Sequence, residues 1–263
     1  MKTNKTKWIW AIAMLLVVWA CDPIIDEEFE LKNNATVDDV VLEVVQNAAR
    51  GNSLSLRMTT PGIIGEWDYG IGRAFTDRVD FVYPIPGTST FTFNGNLGAE
   101  FFSKTIDVTI DVLDTELEQD WYDLVSRSTD AGKTWVFHKE NDNLWWYMSP
   151  PDDAASWAGV WWNAAECCAP SDANGKMKFD LNGGANFTYW ENDSSTPVNA
   201  SFALDIENQT LTIVGSNILG GHGDRGVSSG QYRIVSLTED QMILYADRSN
   251  AGDSGWTYIF RPE

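Results

Sequence analysis

The sequence predicts an all-β protein of two successive modules behind an N-terminal export segment. Three observations carry this. Apolar residues alternate or run over four to eight positions, as in "SLSLRM", "NFTYW" and "QYRIVSL", which is how strands read. Turn residues punctuate these runs at "TTPG", "YGIG", "PIPG", "DLNGGAN" and "DIENQT", where Gly, Pro, Asn and Asp supply the required backbone angles. Past the export segment no stretch carries a convincing 3.6-residue period. Only "VDDVVLEVVQNAA" is ambiguous and allows a short helix.

In chain order, the export segment comes first. Lys2, Lys5 and Lys7 precede an apolar run of 13 residues, Trp8 to Ala20, and then Cys21. A basic region, an apolar region too short to span a membrane and a processing site make a signal peptide over residues 1–20. "VVWAC" resembles the lipobox of bacterial lipoproteins, which implies a lipid on Cys21 and membrane attachment through that anchor only. Residues 21–36 are acidic, then Asn-rich. "CDPIIDEEFE" resembles the surface-export tether of Bacteroidetes-type lipoproteins, which implies an outer-membrane protein facing the cell exterior.

Charge narrows the partners. Loss of the signal leaves 15 basic against 38 acidic residues, a net charge near −23. Such a surface repels nucleic acid and anionic glycans and leaves neutral partners open. Cys167 and Cys168 are the only cysteines beside Cys21. They make neither a disulfide framework nor a zinc set; a vicinal disulfide and two thiols both remain open.

Residues 37–114 form the first module. Its strands read "VVLEVV", "SLSLRM", "RVDFVY", "STFTF" and "TIDVTIDV". "WDYGIG" (Trp67 to Gly72) and "YPIPGTSTFTF" (Tyr83 to Phe93) resemble the PKD-type immunoglobulin-like domain. Ile71 stands where that family has Asp. The resemblance implies a β-sandwich spacer with Trp67 between its sheets.

"LDTELEQDWYDL" is an acidic junction with helical residues, and residues 118–263 form the second module. "STDAGKTW", Ser128 to Trp135, resembles the Asp-box of sialidases. That motif implies a structural hairpin in which Asp130 bonds turn amides, Gly132 takes a positive φ and Trp135 packs inward. Seven further strands, "KMKFDL" to "WTYIF", follow at even spacing. They predict a second β-sandwich of jelly-roll or lectin-like type, with a lipocalin-like barrel as the alternative.

Catalytic signals are thin. "ALDIENQT" is similar to the catalytic strand of laminarinase-type glycoside hydrolases but carries Ala203 and Asn208-Gln209 where carboxylates should stand. Asp205 and Glu207 share a face, yet Asn208-Gln209 reads as a turn, and retaining hydrolysis needs a facing carboxyl pair. His138 and His222 are the only histidines. "GGHGDRG", Gly220 to Gly226, reads as a mobile surface loop able to hydrogen-bond hydroxyls. No nucleophile, phosphate or zinc motif occurs. No cofactor or metal is expected: acidic loops offer oxygens for a structural calcium ion, but not at the spacing of a calcium motif.

The aromatics point to a binding site. Nine of ten tryptophans outside the signal lie between Trp121 and Trp256, and five of them, Trp145, Trp146, Trp157, Trp161 and Trp162, fall within eighteen residues. Trp121, Trp135 and Trp256 suit core positions. The five lie among Pro, Asp, Gly and Ser, where exposed indoles mark a binding surface. With Trp190, Asp152, Asp153 and Glu166 they form the expected glycan site: rings stack on sugar faces and carboxylates accept from hydroxyls.

The segments "GKTWVF", "WAGVWWNAAECC", "GKMKFDLNGGANFTYWEND" and "GWTYIFRP" resemble the C-terminal module of PKD-containing lipoproteins of Bacteroidetes polysaccharide-utilisation loci. Trp135, Trp161, Trp162 and Phe179 sit at that family's marker positions. The resemblance implies a non-catalytic surface protein that captures a neutral polysaccharide, first a β-glucan such as laminarin, for an outer-membrane importer and secreted glycanases. A small glycoside hydrolase and a protein-binding adhesin are the alternatives.

Overall fold

The computed structural model describes residues 36–139, 146–149, 162–163, 168–247 and 255–263. The described chain is all-β but for one short α-helix and two 3-10 turns. Residues Ala35–Glu263 form one unit, in which the strands before and after the helix pair only among themselves.

Before the helix, seven antiparallel strands form two sheets. One holds β1 (Leu42–Gln46), β2 (Ser53–Met58) and β5 (Arg78–Val82); the other runs β4 (Arg73–Ala74), β3 (Ile64–Asp68), β6 (Gly87–Leu97) and β7 (Glu100–Ile110). The ambiguous N-terminal stretch is a 3-10 turn, Val37–Asp39, leading into β1. Alternation places Leu54, Leu56, Trp67, Phe91 and Phe93 between the sheets, all buried. Trp67 meets Phe93 edge-on at 5.3 Å, and Phe81 meets Phe91 across the sheets at 6.1 Å. In the "WDYGIG" turn, Asp68 Oδ1 accepts from Gly70 N at 3.0 Å, and Gly70 has φ 81°. Tyr69 stacks on Phe81 at 4.5 Å. Burial, then the charges of Asp205 and Asp68, push its phenol up.

Buried Asn52 ties this sandwich to the chain that leaves it. Its Nδ2 donates to Thr115 O at 2.9 Å and its Oδ1 accepts from Thr115 N at 2.8 Å. The side-chain amide thereby satisfies a backbone pair at the exit, as a neighbouring strand would.

The second half departs from the jelly-roll expectation. β8 (Lys133–Phe137), β11 (Lys176–Asp180), β12 (Asn186–Trp190), β13 (Val198–Asp205), β14 (Thr210–Val214), β15 (Gln231–Leu237), β16 (Met242–Ala246) and β17 (Gly255–Pro262) each pair antiparallel with the next. β17 then pairs with β8, Phe260 opposite Phe137 and Pro262 opposite Trp135. The result is a closed eight-stranded up-and-down barrel, the alternative weighed for this half. A jelly roll needs crossovers between two sheets. Here each barrel strand pairs with the next barrel strand in chain order, without a crossover, and one barrel closure removes both edges.

The barrel interior is filled. Trp135, Phe137, Met177, Phe179, Phe187, Phe202, Tyr232, Tyr258 and Phe260 are all buried, with Phe179 against Phe187 and Phe202 at 5.0 and 5.2 Å. The helix α1 (Gln119–Val125) closes one end. It buries Trp121, Leu124 and Val125, sets Trp121 6.2 Å from Phe202 and accepts the indole N–H of Trp135 on Leu124 O at 3.0 Å.

The Asp-box segment connects α1 to β8 and is not a strand hairpin. Gly132 has the expected positive φ of 73°, and a Cβ there would lie 2.3 Å from Phe179 O. Asp130 departs from expectation. It is exposed, and the turn closes through the backbone, Gly132 N donating to Ser128 O at 2.9 Å.

Trp135 joins the helix, the barrel wall and the core. Trp135→Ala is expected to lower stability by about 3–5 kcal/mol, the range for a buried aromatic. Urea denaturation followed by near-ultraviolet circular dichroism checks this; a loss under 1 kcal/mol would mean that the helix does not depend on the indole.

Candidate functional site

The end of the barrel opposite α1 carries the long connections. One of them, residues 215–230 between β14 and β15, contains the "GGHGDRG" segment. It is not a mobile surface loop. Ile218 and Leu219 are fully buried, and Gly220 lies over the barrel mouth with φ 75°, where a Cβ would come within 2.9 Å of the Phe137 ring and 3.1 Å of Tyr258. Only glycine supplies both that angle and that clearance. Leu219 N reaches Met177 Sδ at 3.3 Å, and Tyr258 Oη donates to Arg225 O at 2.5 Å. The loop is a plug.

A buried carboxylate latches it. Asp172, just before β11, has a fully buried side chain. Its Oδ2 accepts from Gly220 N at 2.9 Å, Tyr189 Oη at 3.0 Å and His222 Nε2 at 3.0 Å. Tyr189 Oη also lies 2.9 Å from His222 Nε2. The imidazole is 40% exposed, so it forms the boundary between latch and solvent. Its Nδ1 faces Asn217 Nδ2 at 3.5 Å.

The electrostatics follow. Burial pushes Asp172 up, but hydrogen bonds from His222, Gly220 and Tyr189 outweigh it and leave its carboxyl below the ordinary value. The hydrogen bond to Asp172 raises His222, against burial. Burial, then the charge of Asp172, drives the Tyr189 phenol far up, so it stays a donor. Three donors converge on Asp172 Oδ2, the arrangement in which a buried carboxylate holds a loop, while its buried Oδ1 has no hydrogen-bond partner among the described residues. Cys168, four residues before Asp172, is disulfide-bonded.

Two short strands of the tryptophan-rich segment are described, and one of them is mounted on the barrel. β9 (Trp146–Ser149) pairs with the first half of β17, Trp146 opposite Tyr258 and Met148 opposite Trp256. β10 (Trp162–Asn163) pairs with β9, Trp162 opposite Met148. Ala246, Trp256, Met148 and Trp162 therefore occupy one row across four strands. Trp256, expected in the core, packs against it but is only half-buried.

Trp190 stands apart. It ends β12 on the outer face, alternating with inward Phe187 and Tyr189, and Lys176 lies 5.8 Å over its ring. β12 is three strands round the barrel from β17, so Trp190 is not joined to the row. Trp145, Trp157, Trp161, Asp152, Asp153, Glu166 and Cys21 lie outside the described residues. Asp205, from the weak hydrolase likeness, closes the β13–β14 turn by accepting from Asn208 N at 2.9 Å and Asn208 Nδ2 at 2.8 Å.

Beside the latch, Ser216, Asn217, Ser228 and Ser229 help line a groove of about 480 Å³. Among the described residues no group of three or more His, Cys, Asp or Glu could hold a metal ion, and no helix is long and apolar enough to cross a membrane. Sequence reasoning missed Asp172, Tyr189 and the plug. The available signal was the apolar pair Ile218-Leu219 set directly before Gly220-Gly221, an insertion motif inside a polar loop. The chain matches no protein-family model and no curated protein.

The latch has a defined pH window. The raised His222 contributes stability that is complete below its ordinary value of 6.5 and is lost as pH rises through the raised one. The lowered Asp172 contributes above its ordinary 3.8 and is lost as pH falls through the lowered one. The difference in Tm between wild type and His222→Gln should peak between these ordinary values and shrink toward pH 9. A difference independent of pH would show that the imidazole acts by packing alone. Asp172→Ala strands three donors and should cost about 3 kcal/mol, or about 10 °C for a chain of this size.

Proposed function

We propose that this protein captures a neutral polysaccharide on the rim of its barrel and holds it without cleaving it. One observation carries the reading: the tryptophan-rich segment contributes β9, paired to the barrel strand β17, and β10, paired to β9, while the barrel interior is packed with side chains. A ligand is then met at the rim and not inside. Segments mounted on paired strands hold their side chains more firmly than free loops do. The charge of −20 disfavours anionic ligands. Stacking indoles beside acceptor carboxylates suit uncharged sugar rings, and the serine-lined groove adds hydroxyl and amide partners within a volume typical of ligand sites.

In this reading the glycan is a β-glucan of the laminarin type. The site comprises Trp145, Trp146, Trp157, Trp161 and Trp162 with Asp152, Asp153 and Glu166; Trp190, on the opposite outer face, is a separate contact. The N-terminal sandwich, of PKD type, keeps the barrel away from an outer membrane to which lipidated Cys21 anchors the chain. An importer and secreted glycanases would receive the captured polymer.

Affinity electrophoresis in gels containing neutral polysaccharides tests the site. Stacking on an aromatic side chain is worth ~1–3 kcal/mol for a nucleobase; on that scale, losing one indole weakens binding about tenfold. At least two of the five Trp→Ala variants should lose that much affinity with little change in Tm. If all five are destabilised and none is selectively deficient in binding, the segment is core and the site lies elsewhere. Anchoring is tested separately: Cys21→Ser should abolish incorporation of labelled fatty acid, and continued labelling would remove Cys21 as the anchor.

A further inference from the structure

The outward face of the β3–β6–β7 sheet carries a second feature that neither the barrel nor a spacer role requires. Alternation turns Phe91, Phe93 and Gly95 of β6 inward, and leaves Thr92, Asn94 and Asn96 facing out. On β7 it leaves Phe101, Ser103 and Thr105 outward. At one end of this polar ladder Ile64, Asn96 and Phe101 stand in register on three adjacent strands. Ile64 is 83% exposed and Phe101 88%. Two large apolar side chains, two strands and so about 10 Å apart, flank an exposed amide in a folded sheet.

The amides of Asn94 and Asn96 between and beside them hold hydrogen-bonding capacity in reserve. Asn94 is oriented by Ser103, whose Oγ donates to Asn94 Oδ1 at 2.6 Å. That bond leaves the Asn94 Nδ2 donors to solvent. The Asn96 amide is exposed with no partner among the described residues. Glu66, opposite Asn94 on this face, is neutralised by Arg73 at 3.5 Å, which leaves Glu100, next to Phe101 in β7, as an exposed carboxylate at this end. Apolar contacts about one disaccharide apart, with amide donors and acceptors between them, fit the alternating C–H and hydroxyl surface of a sugar chain. A second copy of this chain or an anionic lipid surface would bring more negative charge against a protein already at −20.

We propose that this face is a second binding surface for a neutral glycan chain lying across the strands, with Phe101 as a stacking contact, Ile64 as an apolar contact and Asn94 and Asn96 as hydroxyl partners. It rests on the rim reading for its ligand class and gives the sandwich a binding role beyond spacing.

The experiment is native affinity electrophoresis of the full-length protein in separate gels containing laminarin, xyloglucan, galactomannan and amylopectin. Wild type is compared with Ile64→Ser/Phe101→Ala, with Asn96→Ala, and with the combined rim variant Trp146→Ala/Trp162→Ala. Both face residues are exposed, so Tm should stay within about 1 °C of wild type, the behaviour of surface substitutions. The expected result is a rise of about fivefold or more in apparent Kd for the face variant in a gel that retards wild type, with a smaller rise for Asn96→Ala. If only the rim variant loses retardation, the face assignment falls and the rim reading stands. If only the face variant loses it, the rim reading falls. Retardation of wild type in none of the gels overturns both. Sedimentation velocity and pelleting with phosphatidylcholine–phosphatidylglycerol vesicles complete the test. Self-association or vesicle binding that Phe101→Ala abolishes would assign the face to a second copy or a membrane and overturn the proposal.

Discussion

Pairing of the last strand with the first, Phe260 against Phe137 and Pro262 against Trp135, is the constraint on which the rest of the barrel depends. Without it the eight strands would be a curled sheet with two open edges. With it, every inward side chain faces another across a narrow lumen, and large aromatics fill that lumen. A small barrel with such residues inside has no room for a ligand. Both ends must then be sealed, because a packed apolar lumen open to water loses part of its burial. α1 seals one end with Trp121 and Leu124. Ile218, Leu219 and Gly220 seal the other.

The second seal has an electrostatic cost. A plug made of loop backbone brings N–H groups into a dry site, and one of them, Gly220 N, needs an acceptor. Asp172 supplies it, but a carboxylate with no exposed surface needs compensation of its own. His222 and Tyr189 provide that compensation from two further elements. One buried charge thus connects the segment before β11, the end of β12 and the β14–β15 loop. The acidic surface has no comparable local demand: several of its ion pairs, such as Arg50 with Asp111 at 2.7 Å and Arg78 with Asp80 at 3.0 Å, join exposed side chains and contribute little to stability.

β9 and β10 extend this logic to the tryptophan-rich segment. β17 is long enough to pair with β8 through its second half and β9 through its first. The strand that closes the barrel therefore also holds the start of the indole-bearing stretch, and rim and closure share one backbone.

Much of this fold was legible in the sequence because its strands are short and bounded by turns with their own chemistry. "KMKFDL", "NFTYW" and "QTLTIV" each became a strand, and Asn208-Gln209 became the turn that its residues imply, with Gln209 at φ 51°. Local sterics and alternation decide such features within a few residues. Closure was not legible. Whether eight successively paired strands make a sandwich or a barrel depends on whether β17 reaches β8, a contact between segments over a hundred residues apart that no local pattern encodes. Asp172 was passed over for the same reason: alone in "APSDANG" it reads as an exposed turn residue, and only folding brings His222, Tyr189 and Gly220 to it. By itself the sequence determined strand identity, turn positions and the charge that limits partners, since each is a property of neighbouring residues. Only the tertiary structure decided the closed barrel, the plug and the buried latch, because each arises from pairing and burial between distant segments.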